Sequence, residues 1–259
     1  MKNKPEPITR TNILGVGVSA LTMPLALAQI AGWVERGERQ YVCVTGVHGV
    51  IESQRDPSLR AIHNQAGLVT PDGMPLVWLS RHLGHPDVQR VYGPDLLLAA
   101  CDYGQALGWR HYFYGAAPGT ASLLAERLQA RYPGMVVAGV HSPPFRALTA
   151  AEEQAEREQI DAARADILWV GMSTPKQERW MAAHLGQISV PVMIGVGAAF
   201  DFHAGLKKQA PLWMQRGGLE WLFRLLSEPK RLGPRYLVNN PLFVALVFLQ
   251  LSGLRKYRL

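Results

Sequence analysis

The residue of this chain best placed to move a proton is Asp72, in the segment Thr70-Pro71-Asp72-Gly73-Met74-Pro75. It directly follows a short apolar run at 68–70, and Pro71 and Gly73 shape a tight turn around it. A carboxylate held at a strand end can act as a general base. The same turn would equally suit an aspartate that caps a helix beginning at Met74, and on the residues alone the two roles stand level. Four more turns rich in Gly, Ser and Thr follow apolar runs. They are Gly46-Val47-His48-Gly49, Gly115-Ala116-Ala117-Pro118-Gly119-Thr120, Gly171-Met172-Ser173-Thr174-Pro175-Lys176-Gln177-Glu178 and Gly197-Ala198-Ala199-Phe200-Asp201-Phe202-His203-Ala204-Gly205. Such turns expose backbone N–H groups to a phosphate or a sugar, and helix N-termini add a favourable dipole. Together the five point to a phosphate-bearing ligand.

Several phosphate chemistries are excluded by spacing. Gly15-Val16-Gly17-Val18-Ser19-Ala20 fits a loose dinucleotide fingerprint, but the acid that should hold the ribose belongs at the end of the second strand. Thr45 stands there, and Glu35 lies within the preceding helix. No GxxxxGK[ST] loop, Asp-x-Asp, HExxH or paired-cysteine motif occurs. The nearest metal candidate is Asp201-Phe202-His203, whose alternation in an extended segment would turn both polar groups to one side. Two ligands make a poor site, so chemistry without a metal or cofactor is expected. Cys43 and Cys101 sit in apolar stretches and read as buried free thiols of a reducing compartment.

The elements that must position these residues follow from the apolar pattern. Strands are predicted at 13–18, 41–45, 68–70, 111–114, 136–140, 167–170 and 192–196. Helices are predicted near 22–36, 57–65, 74–83, 95–107, 118–131, 149–164, 175–184 and 218–226. This succession argues for an α/β, Rossmann-like, mostly parallel sheet with helices on both faces, whose ligands collect beyond the carboxyl ends of the strands. Lys2, Lys4 and Arg10 before the apolar stretch at 13–33, with Ala26-Leu27-Ala28, imitate a cleavable leader. A buried strand followed by a helix, with Thr22 as its cap and Pro24 in its first turn, accounts for the same residues better.

Charge divides the chain unevenly. From residue 207 to 259 there are ten lysines and arginines against two acids, a local net charge of +8 in a chain whose formal net is +7. The basic residues alternate with Trp213, Trp221, Phe223, Tyr236, Phe243 and Phe248 and enclose an apolar run at 241–251. Cations with aromatic and aliphatic surface suit an anionic membrane interface; nucleic acid has no use for the apolar run. That run is short of the roughly 20 residues a span requires. We therefore expect a catalytic body at 1–206 and a basic amphipathic helical appendage at 207–259. A division of the body into two halves would fall near 108–118.

At this point the motifs combine into a resemblance. The segments Thr70-Pro71-Asp72-Gly73-Met74-Pro75-Leu76-Val77-Trp78, Arg90-Val91-Tyr92-Gly93-Pro94-Asp95-Leu96 and Gly171 through Glu178 resemble those of the TagA/WecG/CpsF glycosyltransferases. So do Gly195 through Gly205, Ala210-Pro211 and Leu219 through Arg231, in the family's order. The resemblance implies a bacterial enzyme that moves a sugar, with inversion, from a UDP-sugar to a polyprenyl-diphosphate-linked sugar. It also implies peripheral attachment to the cytoplasmic face of the inner membrane through a C-terminal appendage, in cell-surface polysaccharide biosynthesis. One position departs: Val47 stands where TagA-like members have Asn. Valine cannot make the hydrogen bonds of an amide, so either His48 takes over a polar role or a sugar other than N-acetylmannosamine is handled.

Under the resemblance Asp72 is the base that takes the acceptor's proton. Without a metal, diphosphate charge must be met by cations, and Arg90, Arg224, Arg231 and Arg235 are the candidates, since guanidinium groups bind phosphate bidentately. The alternative for the tail arginines is a solvated helix face or attraction to anionic lipid. Thr45, Gln177 and Asp201 carry over as pocket residues; Gln177 would equally serve the cap of its own helix, and Asp201 a turn. The rival from another class is a non-catalytic α/β scaffold on a membrane or nucleic acid, which UDP binding would discriminate.

Overall fold

The computed structural model describes residues 8–259. The chain opens with a hairpin of β1 (Arg10–Ile13) and β2 (Val16–Ser19), then α1 (Met23–Arg36), β3 (Gln40–Thr45), α2 (Val47–Arg55), α3 (Pro57–Gln65), β4 (Leu68–Pro71) and α4 (Met74–His82). It continues through α5 (Gly93–Gln105), β5 (Arg110–Gly115), α6 (Thr120–Arg131), β6 (Val136–His141), α7 (Ala150–Ala162), β7 (Ile167–Gly171), α8 (Lys176–His184) and β8 (Val192–Gly195). The last elements are α9 (Ala199–His203), α10 (Leu212–Arg216), α11 (Glu220–Ser227) and α12 (Pro229–Leu251).

Six strands form one sheet in the order β4-β3-β8-β7-β5-β6, and the pairs from β3 through β6 run parallel. Every residue of β4, β7 and β8 is buried, as expected where helices cover both faces. This is the Rossmann-like α/β architecture. The segment at 13–18, expected as one strand, is instead the end of β1, a turn and most of β2. Leu14 and Gly15 take positive φ (52° and 81°) to reverse the chain, and Ile13 pairs with Val16. Lys2 and Lys4 of the leader-like pattern lie outside the described residues; the stretch after them becomes hairpin and α1, which buries Ala26, Ile30 and Trp33.

The chain divides into two compact units. One comprises Pro24–Cys43 and Gly93–Lys207. Its core is aromatic: Trp169, Tyr112, Tyr114, Phe113 and Phe200 are fully enclosed, with Phe113 edge-on to Phe200 at 5.9 Å. Trp169 Nε1 donates to His111 Nδ1 at 3.0 Å, and burial lowers the His111 pKa to about 4, so this imidazole is neutral. Glycine permits a close contact here: a Cβ on Gly171 would lie 2.6 Å from the Phe200 ring.

The other unit comprises residues 8–23, Val44–Tyr92 and Lys208–Leu259. Ser19 Oγ accepts from the Val69 N–H at 3.0 Å, fastening the hairpin to β4. The Arg10 guanidinium donates to the carbonyls of Asn64, in the last turn of α3, and of Ala66 and Gly67 beyond it. The apolar run at 241–251 is the second half of the 23-residue α12, which continues through Pro234 and Pro241. By length and composition α12 could cross a bilayer. It is nevertheless tied to its unit at intervals. Asn239 Nδ2 donates to His48 Nδ1 at 2.9 Å, and Asn239 Oδ1 accepts from Arg55 at 2.9 Å. Further on, Gln250 accepts from the Leu14 N–H at 2.9 Å and donates to the Asn12 carbonyl at 2.8 Å, while Leu232 and Phe243 are buried.

Candidate active site

Asp72 follows the buried end of β4, and its N–H donates to the Thr45 carbonyl at the end of β3, at 3.0 Å. The N-cap position of α4 is held by Gly73, the residue directly after Asp72. A Cβ on Gly46 would lie 3.7 Å from Asp72 Oδ2, so Gly46 backs onto the carboxylate. Thr45 is itself buried, with Gly49 of α2 packed so closely that a Cβ there would come within 2.9 Å of its methyl group.

Arg90 braces this turn. Its Nε donates to the Asp72 carbonyl, Nη2 pairs with Glu220, Nη1 reaches Gln215 at 3.4 Å, and the guanidinium lies 3.9 Å over the Tyr92 ring. The Tyr92 hydroxyl donates to the second Glu220 oxygen at 2.8 Å. Burial opposes the Arg90 charge, but Asp72 and Glu220 outweigh it and raise its pKa. Burial, then Glu220 and Asp72, push the Tyr92 phenol up, so it stays a donor. Arg90, expected on a diphosphate, thus has its guanidinium engaged by Asp72, Glu220, Gln215 and Tyr92.

The tail arginines belong to the same unit. Arg224 of α11 is raised in pKa despite burial by Tyr236, Tyr92, Glu220 and Asp72, which places it in the field of the Asp72 turn. Arg235 of α12 is lowered by burial and by its neighbours Arg231 and Arg224. Arg231 is exposed and pairs with Glu228 at 2.6 Å, one turn away. His48, on α2, is met at Nδ1 by Asn239 Nδ2 at 2.9 Å, with Glu52 Oε1 3.8 Å from the same nitrogen. One unit therefore carries Thr45, His48, Asp72, Arg90, Arg224, Arg231 and Arg235.

Gln177 and Asp201 fall in the other unit. Gln177 and Glu178 are both buried in the first turn of α8. Glu178 Oε1 accepts from Thr174 Oγ1 at 2.8 Å and from Gln177 Nε2 at 3.2 Å, and burial raises its pKa. Gln177 Oε1 and Glu178 Oε2 are buried without a protein partner. A Cβ on Gly195 would come 3.0 Å from Gln177 Nε2, so β8 makes room for the amide. Gln177 does not cap α8, whose N-cap is Pro175 with no side-chain bond. The extended alternation expected for Asp201 and His203 does not occur, because residues 199–203 form helix α9. Asp201 pairs with Lys207 at 2.9 Å and His203 Nε2 lies 2.9 Å from the Pro94 carbonyl, so the two do not share a ligand. Among the described residues no three His, Cys, Asp or Glu side chains converge.

Sequence reasoning assigned no role to Tyr92, Gln215, Glu220 or Asn239, which hold the Asp72 turn and α2 in place. Tyr92 and Glu220 lie inside segments that stood out by resemblance, but their partnership spans 128 positions and leaves no local mark.

What this arrangement serves is narrowed by comparison. The profile of the Glycosyl transferase WecG/TagA/CpsF family matches residues 11–257. The chain is similar to the N-acetylglucosaminyldiphosphoundecaprenol N-acetyl-beta-D-mannosaminyltransferase of Bacillus spizizenii, 29% identical over 196 residues that cover 76% of this chain and 74% of the relative. It is similar also to the protein of the same name from Staphylococcus aureus strain MRSA252, 30% identical over 181 residues, 70% of this chain and 68% of the relative. With the family profile spanning nearly all of its length, including the Asp72 turn and the basic tail, this chain belongs to the WecG/TagA/CpsF family of glycosyltransferases.

Proposed function

We propose that this glycosyltransferase moves a sugar, with inversion and without a metal, from a UDP-sugar to a polyprenyl-diphosphate-linked sugar in cell-surface polysaccharide biosynthesis. The relatives' names state an undecaprenol diphosphate acceptor bearing N-acetylglucosamine and a transferred N-acetylmannosamine. The observation that carries the mechanism is the Asp72 turn, which follows the buried end of β4 and is braced through its carbonyl by Arg90. In the reaction the acceptor hydroxyl oxygen bonds to the anomeric carbon, the bond to the UDP oxygen breaks, and the hydroxyl proton passes to the Asp72 carboxylate. Arg224, Arg231 and Arg235 meet diphosphate charge, while Arg90 holds the turn. Thr45 and His48 serve as substrate-contacting residues of the unit that carries Asp72, and Gln177 and Asp201 as substrate-contacting residues of the other. With Val47 in place of an amide, the donor is an N-acetylmannosaminyl, N-acetylmannosaminuronyl or hexosyl nucleotide. Residues 207–259 seat the enzyme peripherally on the cytoplasmic face of the membrane, and nucleic acid is not a partner.

Asp72→Asn keeps the side chain's size and removes its basicity, so transfer is expected to fall by about 10²–10⁴ while UDP binding stays within a few-fold. Near-normal turnover of the variant on a lipid-linked acceptor would remove Asp72 from the mechanism. Transfer is also expected to persist in EDTA, because the chain has no Asp-x-Asp to hold Mg²⁺ or Mn²⁺ on the diphosphate. Loss on chelation with recovery in Mn²⁺ would overturn that part of the reading.

A further inference from the structure

We infer that the groove between α11 and α12 receives the isoprenoid chain of the acceptor, leading away from its diphosphate. This rests on the reading of the enzyme as a polyprenyl-diphosphate-dependent transferase. The groove has a volume of about 830 Å³ and is walled by Trp221 of α11 and by Tyr236, Asn240, Val244, Phe248 and Leu249 of α12. Positions 236, 240, 244 and 248 recur every fourth residue, so they stand in a row on one face of the helix. At 1.5 Å per residue that row is roughly 18 Å long, which suits a linear chain of several isoprene units.

Polarity along the row is one-sided. Val244 and Phe248 are 67% and 66% exposed, an open apolar surface that a folded chain leaves bare where a partner covers it. At the other end, the Tyr236 phenol feels Arg224 and Arg235, and Trp221 packs edge-on against its ring at 6.1 Å. An apolar tail with an anionic head at one end is the ligand that this distribution fits: guanidinium groups for the diphosphate, then a dry wall for the chain.

Ala245 lines the groove and is exposed, so Ala245→Trp fills the space without touching the core. Transfer should be measured in detergent with two acceptors that carry the same sugar diphosphate, one on a long polyprenyl chain and one on a single short prenyl group. The expected result is a KM for the long-chain acceptor raised about tenfold, with its kcat and the short-chain KM unchanged. Val244→Asn, which sets an amide into the same wall, should shift the long-chain KM in the same direction. Equal losses on both acceptors, or no change on either, would overturn the inference. So would an unchanged long-chain KM accompanied by weaker sedimentation with anionic phospholipid vesicles, since the groove would then take bilayer lipid. Wild-type enzyme inactive on both acceptors would instead sink the transferase reading beneath it.

Discussion

Gly73 holds the cap position of α4 directly after Asp72 and brings no side chain to it. A residue with a capping side chain at 73 would satisfy the helix end, whereas here the turn is secured from outside, by Arg90 on the Asp72 carbonyl and by Glu220 on Arg90. Arg90 and Glu220 are only 15% and 13% exposed, so removing one charge strands the other. Glu220→Gln preserves an acceptor for the Tyr92 hydroxyl but not the charge. It should cost about 1–3 kcal/mol in urea unfolding and lower kcat, with donor affinity little changed. Unaltered stability together with unaltered kcat would show that the brace is idle. Asp72 itself could be singled out from one sequence because Pro-Asp-Gly after an apolar run is a local signal. Its supports could not, because Arg90 and Glu220 lie 130 positions apart, and Arg90 read as a diphosphate ligand rather than as the partner of Glu220.

Elements with chemical punctuation were legible. Helix α3 has Asp56 accepting from the N–H groups of Ser58 and Leu59, with Pro57 in its first turn, and its bounds of 57–65 follow from those residues. Helix α7 begins at a reciprocal box, the Thr149 side chain accepting from Glu152 N–H and Glu152 from Thr149 N–H. The hairpin was not legible as two strands, since Leu14, Val16 and Val18 are all buried and the reversal rests on a positive φ at Leu14. Helix α2 hid behind Gly46 and Gly49, and the full length of α12 behind two prolines. Close approaches between elements belong to the same hidden layer. Gly171→Ala would push a methyl into the Phe200 ring and should destabilise the protein by about 1–3 kcal/mol, as overpacking does. Phe200→Leu in the Gly171→Ala background should recover part of that loss. If the two substitutions instead add independently in thermal unfolding, the packing explanation fails.

At the scale of the molecule the surplus charge resides in the tail, where Arg255, Lys256 and Arg258 follow the exposed Leu251 and Leu254. Each cation near an anionic bilayer contributes about 1 kcal/mol. Replacing the three by Gln should therefore weaken partition onto phosphatidylglycerol vesicles by about 100-fold at low salt, and by less as salt screens the surface. Partition indifferent to both the substitutions and salt would assign attachment to the apolar face alone. The tail is not a detachable anchor, however. The unit that contains Asp72 is assembled from residues 8–23, 44–92 and 208–259, separated in the chain by the whole of the other unit. Glu220 completes the Arg90 brace, Asn239 meets His48, and Gln250 and the Tyr257 carbonyl meet the hairpin at Asn12 and Leu14. During synthesis on a ribosome, Asp72 emerges long before any of these partners exists. The turn that carries Asp72 then waits for Glu220, and the hairpin for residues up to Tyr257. A stalled or prematurely ended chain would carry the complete Thr70–Trp78 motif and still lack the brace that positions it.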